Sequence, residues 1–326
     1  SYYEKEQNGR NNTLKNTNAD RIMQEVGKVI LGKDECIRQV MTAILAGGHV
    51  LIEDIPGVGK TSMALAFAKA MSLKQNRVQF TPDVLPSDIT GFSMYIKETE
   101  KFMYQPGAVM CNLFLADEIN RTSAKTQSAL LEVMEEGTVT VDGVTRKVPD
   151  PFVVIATENP IGSAGTQMLP ESQLDRFMIC IEMGYPSPED EMEILMAQSE
   201  IRPLEAVCAV TDGAELKKMQ EASARIFIHP TICSYIIELV NATRRHELVT
   251  LGLSTRGALA VTKLAKANAY MEGREYVLPE DVVKVFPAAA VHRLKTSSKA
   301  GMNHGTAAKI TQEILASVKQ PRPEKG

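Results

Sequence analysis

Tryptophan is missing from this sequence of 326 residues, and aromatic residues make up only 5% of it. Proteins that bind single-stranded nucleic acid stack bases on aromatic side chains, so this scarcity argues against such a surface. Lysine and arginine number 36 against 40 aspartate and glutamate residues, which gives a formal net charge of -4. Because nucleic-acid-binding proteins usually carry a basic excess, we do not expect nucleic acid to be the partner.

Paired cysteines and long apolar runs are also missing. The five cysteines are scattered without a Cys-x-x-Cys pair, which is typical of free thiols in a reducing compartment. The polar first twenty residues contain no apolar segment of the kind found in signal peptides. No apolar run approaches the roughly 18 residues that span a bilayer. We therefore expect a cytoplasmic protein that does not insert into a membrane directly.

The apolar segments predict two kinds of architecture along the chain. Short apolar runs suit buried strands of a parallel sheet at 49–53, 78–80, 113–116, 152–156 and 178–181. Beyond Pro186 helical periodicity dominates. The sequence predicts an α/β domain at 19–185, with a parallel sheet sandwiched by helices, and a smaller all-α domain at 186–318. The segments 1–18 and 319–326 are expected to be flexible tails.

A glycine-containing loop lies between the first predicted strand and the following helix. Its sequence, Pro-Gly-Val-Gly-Lys-Thr at 56–61, matches most of the phosphate-binding P-loop pattern, although Asp54 replaces the first glycine of that pattern. Glycines let backbone N–H groups surround an anion, and the helix adds its positive end. We expect Lys60 to reach the terminal phosphates of a nucleotide and the Thr61 hydroxyl to ligate Mg²⁺.

Polar side chains follow two later strands. Asp117 and Glu118 end an apolar strand, where adjacent carboxylates are costly unless a cation or water satisfies them. In a P-loop protein Asp117 would hold Mg²⁺, and Glu118 would orient and deprotonate the attacking water. Asn159 follows the next strand and is expected to contact that water or the γ-phosphate, because ligands bind at the carboxyl ends of parallel strands.

Together these segments resemble the AAA+ ATPases, and specifically the MoxR family. The resemblance is carried by Glu-Asp-Ile-Pro-Gly-Val-Gly-Lys-Thr at 53–61, Leu-Ala-Asp-Glu-Ile-Asn-Arg at 115–121, Lys-Thr-Gln-Ser-Ala-Leu-Leu-Glu at 125–132, Ala-Thr-Glu-Asn-Pro at 156–160 and Leu-Pro-Glu-Ser-Gln-Leu-Asp-Arg-Phe at 169–177. It extends over about residues 20–318. The all-α domain would then be the family's lid.

The resemblance implies a role for each matching residue. Lys60 and Thr61 would form Walker A, Asp117 and Glu118 Walker B, and Asn159 sensor 1. Arg176 would be the arginine finger that completes a neighbouring subunit's site, with Arg121 as a second candidate for contact across that interface. Arg256 would be sensor 2, reaching from the lid to the γ-phosphate. The implied nucleotide-binding residues are Ile30, Leu31 and Gly32 at the adenine, with Pro56, Gly57, Val58, Gly59, Lys60, Thr61 and Ser62 at the phosphates.

The resemblance also implies two accessory segments. Residues of about 81–110 correspond to the family's insert within helix 2, and those of about 137–149 to the hairpin before sensor 1. Asp142-Gly143 between alternating residues is itself a strong hairpin sequence. Such segments face the ring pore or the partner in the family, although ordinary surface hairpins would give the same pattern.

The expected function is ATP hydrolysis with ATP and Mg²⁺ at the interfaces of a homo-oligomer, with a hexameric ring as the implied form. The protein would act as a chaperone-like remodeller that activates or assembles a client, including by insertion of a metal cofactor, together with a von Willebrand factor A domain protein. Two alternatives stay open. One is a nucleic-acid motor or loader, and the other is a nucleotide-gated scaffold with slow turnover.

Overall fold

The computed structural model describes residues 17–53, 57, 59–159, 169–197, 203–297 and 304–321. Pro56 and Val58 of the predicted phosphate loop lie outside these residues, as does most of both predicted tails. The first part of the chain contains the helices α1 (Thr17–Gly27), α2 (Asp34–Leu45), α3 (Lys60–Ala70), α4 (Pro86–Thr90), α5 (Ala124–Glu136) and α6 (Glu171–Leu174). Its strands are β1 (Val50–Glu53), β2 (Gln75–Gln79), β3 (Gly91–Ile96), β4 (Lys101–Pro106), β5 (Leu113–Asp117), β6 (Thr138–Val141), β7 (Val144–Lys147), β8 (Val153–Glu158) and β9 (Ile179–Ile181).

Five of these strands form the parallel sheet that the sequence predicts. Their order is β2-β5-β8-β1-β9, and every neighbouring pair is parallel. All residues of β5 are buried, and β8 is buried from Val153 to Thr157. Strands covered on both faces have near-continuous apolar sequences, which explains why these runs were visible in the sequence. The carboxyl ends of β1, β5 and β8 therefore lie side by side at one edge.

Helices cover the sheet with apolar stripes. The inner face of α2 includes Ile37, Val40 and Ile44, and Phe67 of α3 is fully buried. In α5 the Ser123 hydroxyl caps the amino end by accepting from the Thr126 N–H, and a left-handed glycine, Gly137, ends the helix.

Two antiparallel hairpins project from this domain. β6 and β7 are joined by Asp142 and Gly143, both with positive φ, as an Asp-Gly hairpin turn requires. β3 pairs with β4 inside the 81–110 segment, and Met94 lies opposite Met103 and Tyr95 opposite Phe102.

The rest of the chain is mainly helical. It contains α7 (Pro188–Ala197), α8 (Gly213–Ala224), α9 (Pro230–Arg245), α10 (Thr255–Met271), α11 (Pro279–Ala290) and α12 (His304–Ser317). A short antiparallel pair, β10 (Val249–Leu251) with β11 (Lys295–Thr296), departs from the all-α expectation. With three and two residues, β10 and β11 are too short to show the alternation of apolar and polar residues by which strands are recognised. Within the described ranges, no helix has the length and hydropathy needed to cross a membrane.

Polar contacts that range from buried to exposed attach the helical part to the amino end of β9. Arg293 donates to Asp175 Oδ1 at 2.7 Å and to the carbonyls of Phe177 and Met178 at 2.6 and 3.0 Å. Ser254, the N-cap of α10, donates to Asp175 Oδ2 at 2.8 Å. The start of α10 is thereby fixed beside the amino edge of the sheet.

Candidate active site

The described part of the phosphate loop has the backbone that a glycine loop requires. Gly57 and Gly59 have φ of +91° and +92°, a region in which side chains other than glycine are strained. Lys60, Thr61 and Ser62 form the first turn of α3, so the helix amino end points into the loop. A Cβ on Gly59 would lie 3.5 Å from Ile30 Cδ1, which places the predicted adenine-binding segment against the loop.

Lys60 lies across the carboxyl end of the neighbouring strand. Its Nζ donates to Asn159 Oδ1 at 3.2 Å and to the Glu158 carbonyl at 3.4 Å, and the side chain is buried. The Asn159 carbonyl in turn accepts from Asn120 Nδ2 at 3.1 Å. The structure therefore brings together two residues that are 99 positions apart and that the sequence assigned to the same site.

Asp117 is the centre of a second set of contacts. Its Oδ2 accepts from the Thr61 hydroxyl at 3.1 Å and from Arg77 Nη2 at 2.7 Å. Its Oδ1 accepts from the Thr157 hydroxyl at 2.8 Å. Mg²⁺ is commonly held by one or two protein oxygens together with substrate phosphates. The Thr61 and Asp117 oxygens, which already share a hydrogen bond beside the phosphate loop, fit such an ion.

Glu118 occupies a left-handed backbone conformation, with φ 55° and ψ 52°. Residues other than glycine rarely adopt this region, and such outliers concentrate at functional sites. The Glu118 N–H donates to the Thr157 hydroxyl at 2.9 Å, so one threonine side chain contacts both the Asp117 carboxylate and the Glu118 backbone. The Glu118 carboxylate is paired with Arg121 Nη1 at 2.7 Å.

A carboxyl group with a strongly shifted pKa lies at the same edge. Glu158 is opposite Glu53 in the β1–β8 register. Burial, followed by the charge of Glu53, raises the pKa of Glu158 to about 8, and the charge of Lys60 opposes this shift. Near neutral pH this carboxyl therefore holds a proton and adds no full negative charge to the candidate phosphate site.

The two predicted arginines are found elsewhere. Arg176 Nε lies 3.1 Å from Glu135 Oε2, and Arg256 Nη2 pairs with the other oxygen of the same carboxylate. Glu135 follows Met134, whose carbonyl is 3.0 Å from the ring of His49, the residue that precedes β1. This cluster, which we call the arginine cluster (Glu135, Arg176 and Arg256), is therefore at the amino edge of the sheet.

In this structure Arg256, which was expected to reach from the lid to the γ-phosphate, is paired with Glu135 at the amino edge. The four residues of β1 separate the two edges by roughly 13 Å. Ser254 and Arg293 hold the start of α10 at the amino edge through Asp175. Arg256 is thus directed to the same side of the molecule as Arg176, away from Lys60.

Several contacts at both edges were not predicted from the sequence. Arg77, Thr157 and Asn120 contact predicted residues at the carboxyl edge, and Glu135 joins the two arginines. Thr157 could have been suspected, because a threonine near the end of an apolar strand is available to the adjoining site. Arg77 and Glu135 look like ordinary charged surface residues, and only the strand order and the helix position bring them to the site.

Comparison with known proteins identifies the same two parts of the chain. Residues 49–179 match the family model of ATPases associated with various cellular activities (AAA), and residues 241–314 match the AAA lid domain. The chain is 45% identical over 301 residues to YeaC of Bacillus subtilis, a protein described as uncharacterized, covering 92% of this chain and 94% of that one. It is 39% identical over 312 residues to the chaperone MoxR1 of Mycobacterium tuberculosis, covering 93% and 82%.

The fold also matches a solved structure over its whole length. The crystal structure of a candidate ATPase from Cytophaga hutchinsonii superimposes with a TM-score of 0.86 at 35% identity, covering 99% of this chain and 100% of that one. The sequence matches and the parallel sheet with its lid agree with the resemblance drawn from the motifs. The chain belongs to the MoxR family of AAA+ ATPases.

Proposed function

We propose that the protein hydrolyses ATP at sites shared between neighbouring copies and uses this turnover to remodel a protein client. One observation carries the proposal: the residues predicted to contact the nucleotide and the arginine cluster lie at opposite edges of the same sheet. Arg176 and Arg256 pair with Glu135 at the amino edge, roughly 13 Å along β1 from the carboxyl edge at which Lys60 contacts Asn159. A second copy, docked with its amino edge on the carboxyl edge of the first, would supply them.

The residues at the carboxyl edge would then have separate roles. Lys60 would contact the β- and γ-phosphates, and Asn159 would hold the attacking water or the γ-phosphate. Thr61 and Asp117 would hold Mg²⁺, which neutralises developing charge on the phosphates when bound. Glu118 would orient the water and accept its proton, after it leaves Arg121. Arginines supplied in trans commonly contribute roughly 10³–10⁵ to kcat.

The remodelling role is supported by the relative named as a chaperone and by an exposed apolar surface. The β3–β4 hairpin has large apolar side chains on both faces: Phe92, Met94 and Met103 on one, and Tyr95 and Phe102 on the other. Phe102 is 74% exposed. Flexible methionines and aromatic rings suit the binding of varied apolar segments. We propose that this hairpin contacts the client, and that a von Willebrand factor A domain protein is the partner.

Mixing two inactive variants tests the shared site. Glu118→Gln removes the general base and keeps the arginines, whereas Arg176→Ala removes an arginine and keeps Glu118. Each variant alone should hydrolyse ATP poorly. An equal mixture should regain activity at about one quarter of the interfaces, where an intact base meets an intact arginine. Lys60→Ala mixed with Glu118→Gln is the control, because neither variant offers a complete carboxyl edge.

The measurement is phosphate release at a protein concentration at which wild-type activity per chain no longer rises. A mixture that stays as inactive as its components, although both variants bind ATP, would contradict a site shared between copies.

The client and partner are tested separately. Glu118→Gln loaded with ATP should retain a von Willebrand factor A domain protein during purification, and Phe102→Ser in the same background should weaken retention of the client.

A further inference from the structure

A positive charge of the chain itself lies against the carboxylate that we place at the magnesium site. Arg77 belongs to β2, the edge strand beside β5. Its Nη2 and Nε are 2.7 and 3.1 Å from Asp117 Oδ2. The side chain of Asp117 is 8% exposed and that of Arg77 is 47% exposed. The guanidinium therefore reaches a buried carboxylate from the solvent side.

The contact involves the Asp117 oxygen that faces Thr61, the other proposed ligand of the ion. Asp117 Oδ2 also accepts the Thr61 hydroxyl at 3.1 Å, whereas Oδ1 is occupied by Thr157 at 2.8 Å. Arg77 thus neutralises the side of Asp117 that faces Thr61. An isolated carboxylate at this depth would be strongly destabilised without a positive partner. A divalent cation and Arg77 would supply the same compensation, and the two charges repel each other.

We infer that Arg77 is a tethered cation that neutralises Asp117 in the metal-free protein and competes electrostatically with the divalent ion. The inference rests on the proposed function, because it concerns the ion that accompanies the nucleotide. Its consequence is that the site fills only at a higher Mg²⁺ concentration than Thr61 and Asp117 alone would need. A role in which Arg77 merely holds Asp117 in position has the opposite consequence, since its removal would then weaken binding of the ion.

The test measures the Mg²⁺ concentration that gives half-maximal binding of a fluorescent ATP analogue to the full chain. Arg77→Gln should lower this midpoint about tenfold, because it removes a like charge close to the ion, partly screened by solvent. Arg77→Lys keeps the charge without the two-pronged geometry, and its midpoint should stay near that of wild type. Lys74→Gln is the matched control. It removes an exposed charge just before the same strand, roughly 10 Å away along the chain, and should not move the midpoint.

A second measurement does not depend on nucleotide. In EDTA, Arg77→Gln should unfold at a lower temperature than wild type. Addition of Mg²⁺ without nucleotide should raise the unfolding temperature of Arg77→Gln more than it raises that of wild type. If wild type binds the ATP analogue in a Mg²⁺-dependent way and Arg77→Gln needs the same or a higher Mg²⁺ concentration for half-maximal binding, the proposed role of Arg77 is overturned. The proposed function would not be affected by that result. A wild-type chain that binds no nucleotide at any Mg²⁺ concentration would overturn the proposed function itself.

Discussion

Replacement of Glu158 with glutamine should remove most of a stability loss that the wild-type protein undergoes as pH rises. The native pKa of Glu158 is raised to about 8 from an ordinary value of 4.5, first by burial and then by the charge of Glu53. Between these two values the folded chain binds a proton that the unfolded chain has lost. The free energy of unfolding therefore falls as pH rises through this interval.

The size of the effect follows from the two pKa values. Integration of the linkage relation from about pH 5 to about pH 8 gives a loss of roughly 3–4 kcal/mol from this carboxyl alone. Glutamine has nearly the same shape and carries no charge at any pH, so Glu158→Gln lacks this contribution. Relative to wild type, the variant should be roughly 3 kcal/mol more stable at the upper pH than at the lower.

Urea unfolding of the nucleotide-free chain, followed by circular dichroism at constant ionic strength, measures this difference. Taking the difference between variant and wild type cancels the pH dependence of every group that does not interact with Glu158. Glu98→Gln, in the exposed turn between β3 and β4, is the control, and its difference from wild type should stay flat. If Glu158→Gln and wild type give parallel stability curves over this range, the reasoning from burial is refuted.

Three further substitutions test other buried polar groups. Thr157→Val removes the hydroxyl shared by Asp117 and the Glu118 N–H and should cost roughly 1–3 kcal/mol in urea unfolding. Asp281→Asn leaves Arg274 without its buried partner and should cost roughly 3–5 kcal/mol in the same assay. Burial lowers the pKa of His49 to about 4, so stability should fall as pH drops from about 6.5 towards 4, and His49→Gln should remove roughly 3 kcal/mol of that loss.

The sheet was predictable because its evidence is local. Each central strand is apolar along its length, and Asp117, Glu118 and Asn159 follow directly at the strand ends. Once the strands are parallel, these side chains must share an edge. Lys60 contacting Asn159 follows from the same rule, together with a helix that starts at the phosphate loop.

Contacts that depend on the strand order or on the docking of the lid could not be predicted in this way. Arg77 reaches Asp117 because β2 happens to neighbour β5, and nothing in the β2 sequence states this. Arg256 begins a helix with a clear Ser254 cap, so its local structure was visible. Its position in the fold depends on the contact between Arg293 and Asp175, which are 118 positions apart, and no local sequence pattern predicts that pair.

The position of Arg256 beside Glu135 determines how the lid can act. Glu135 belongs to the α/β part, Arg256 to the lid, and Arg176 to the segment before β9, so one carboxylate joins three separate regions at the amino edge. A neighbour that draws the arginines towards its own phosphates must compete with Glu135 for them. After loss of the γ-phosphate, the arginines would pair with Glu135 again. In the ring that we propose, hydrolysis in one copy would therefore change the contacts of the lid in the next copy, because Arg256, which would contact the phosphate, belongs to that lid.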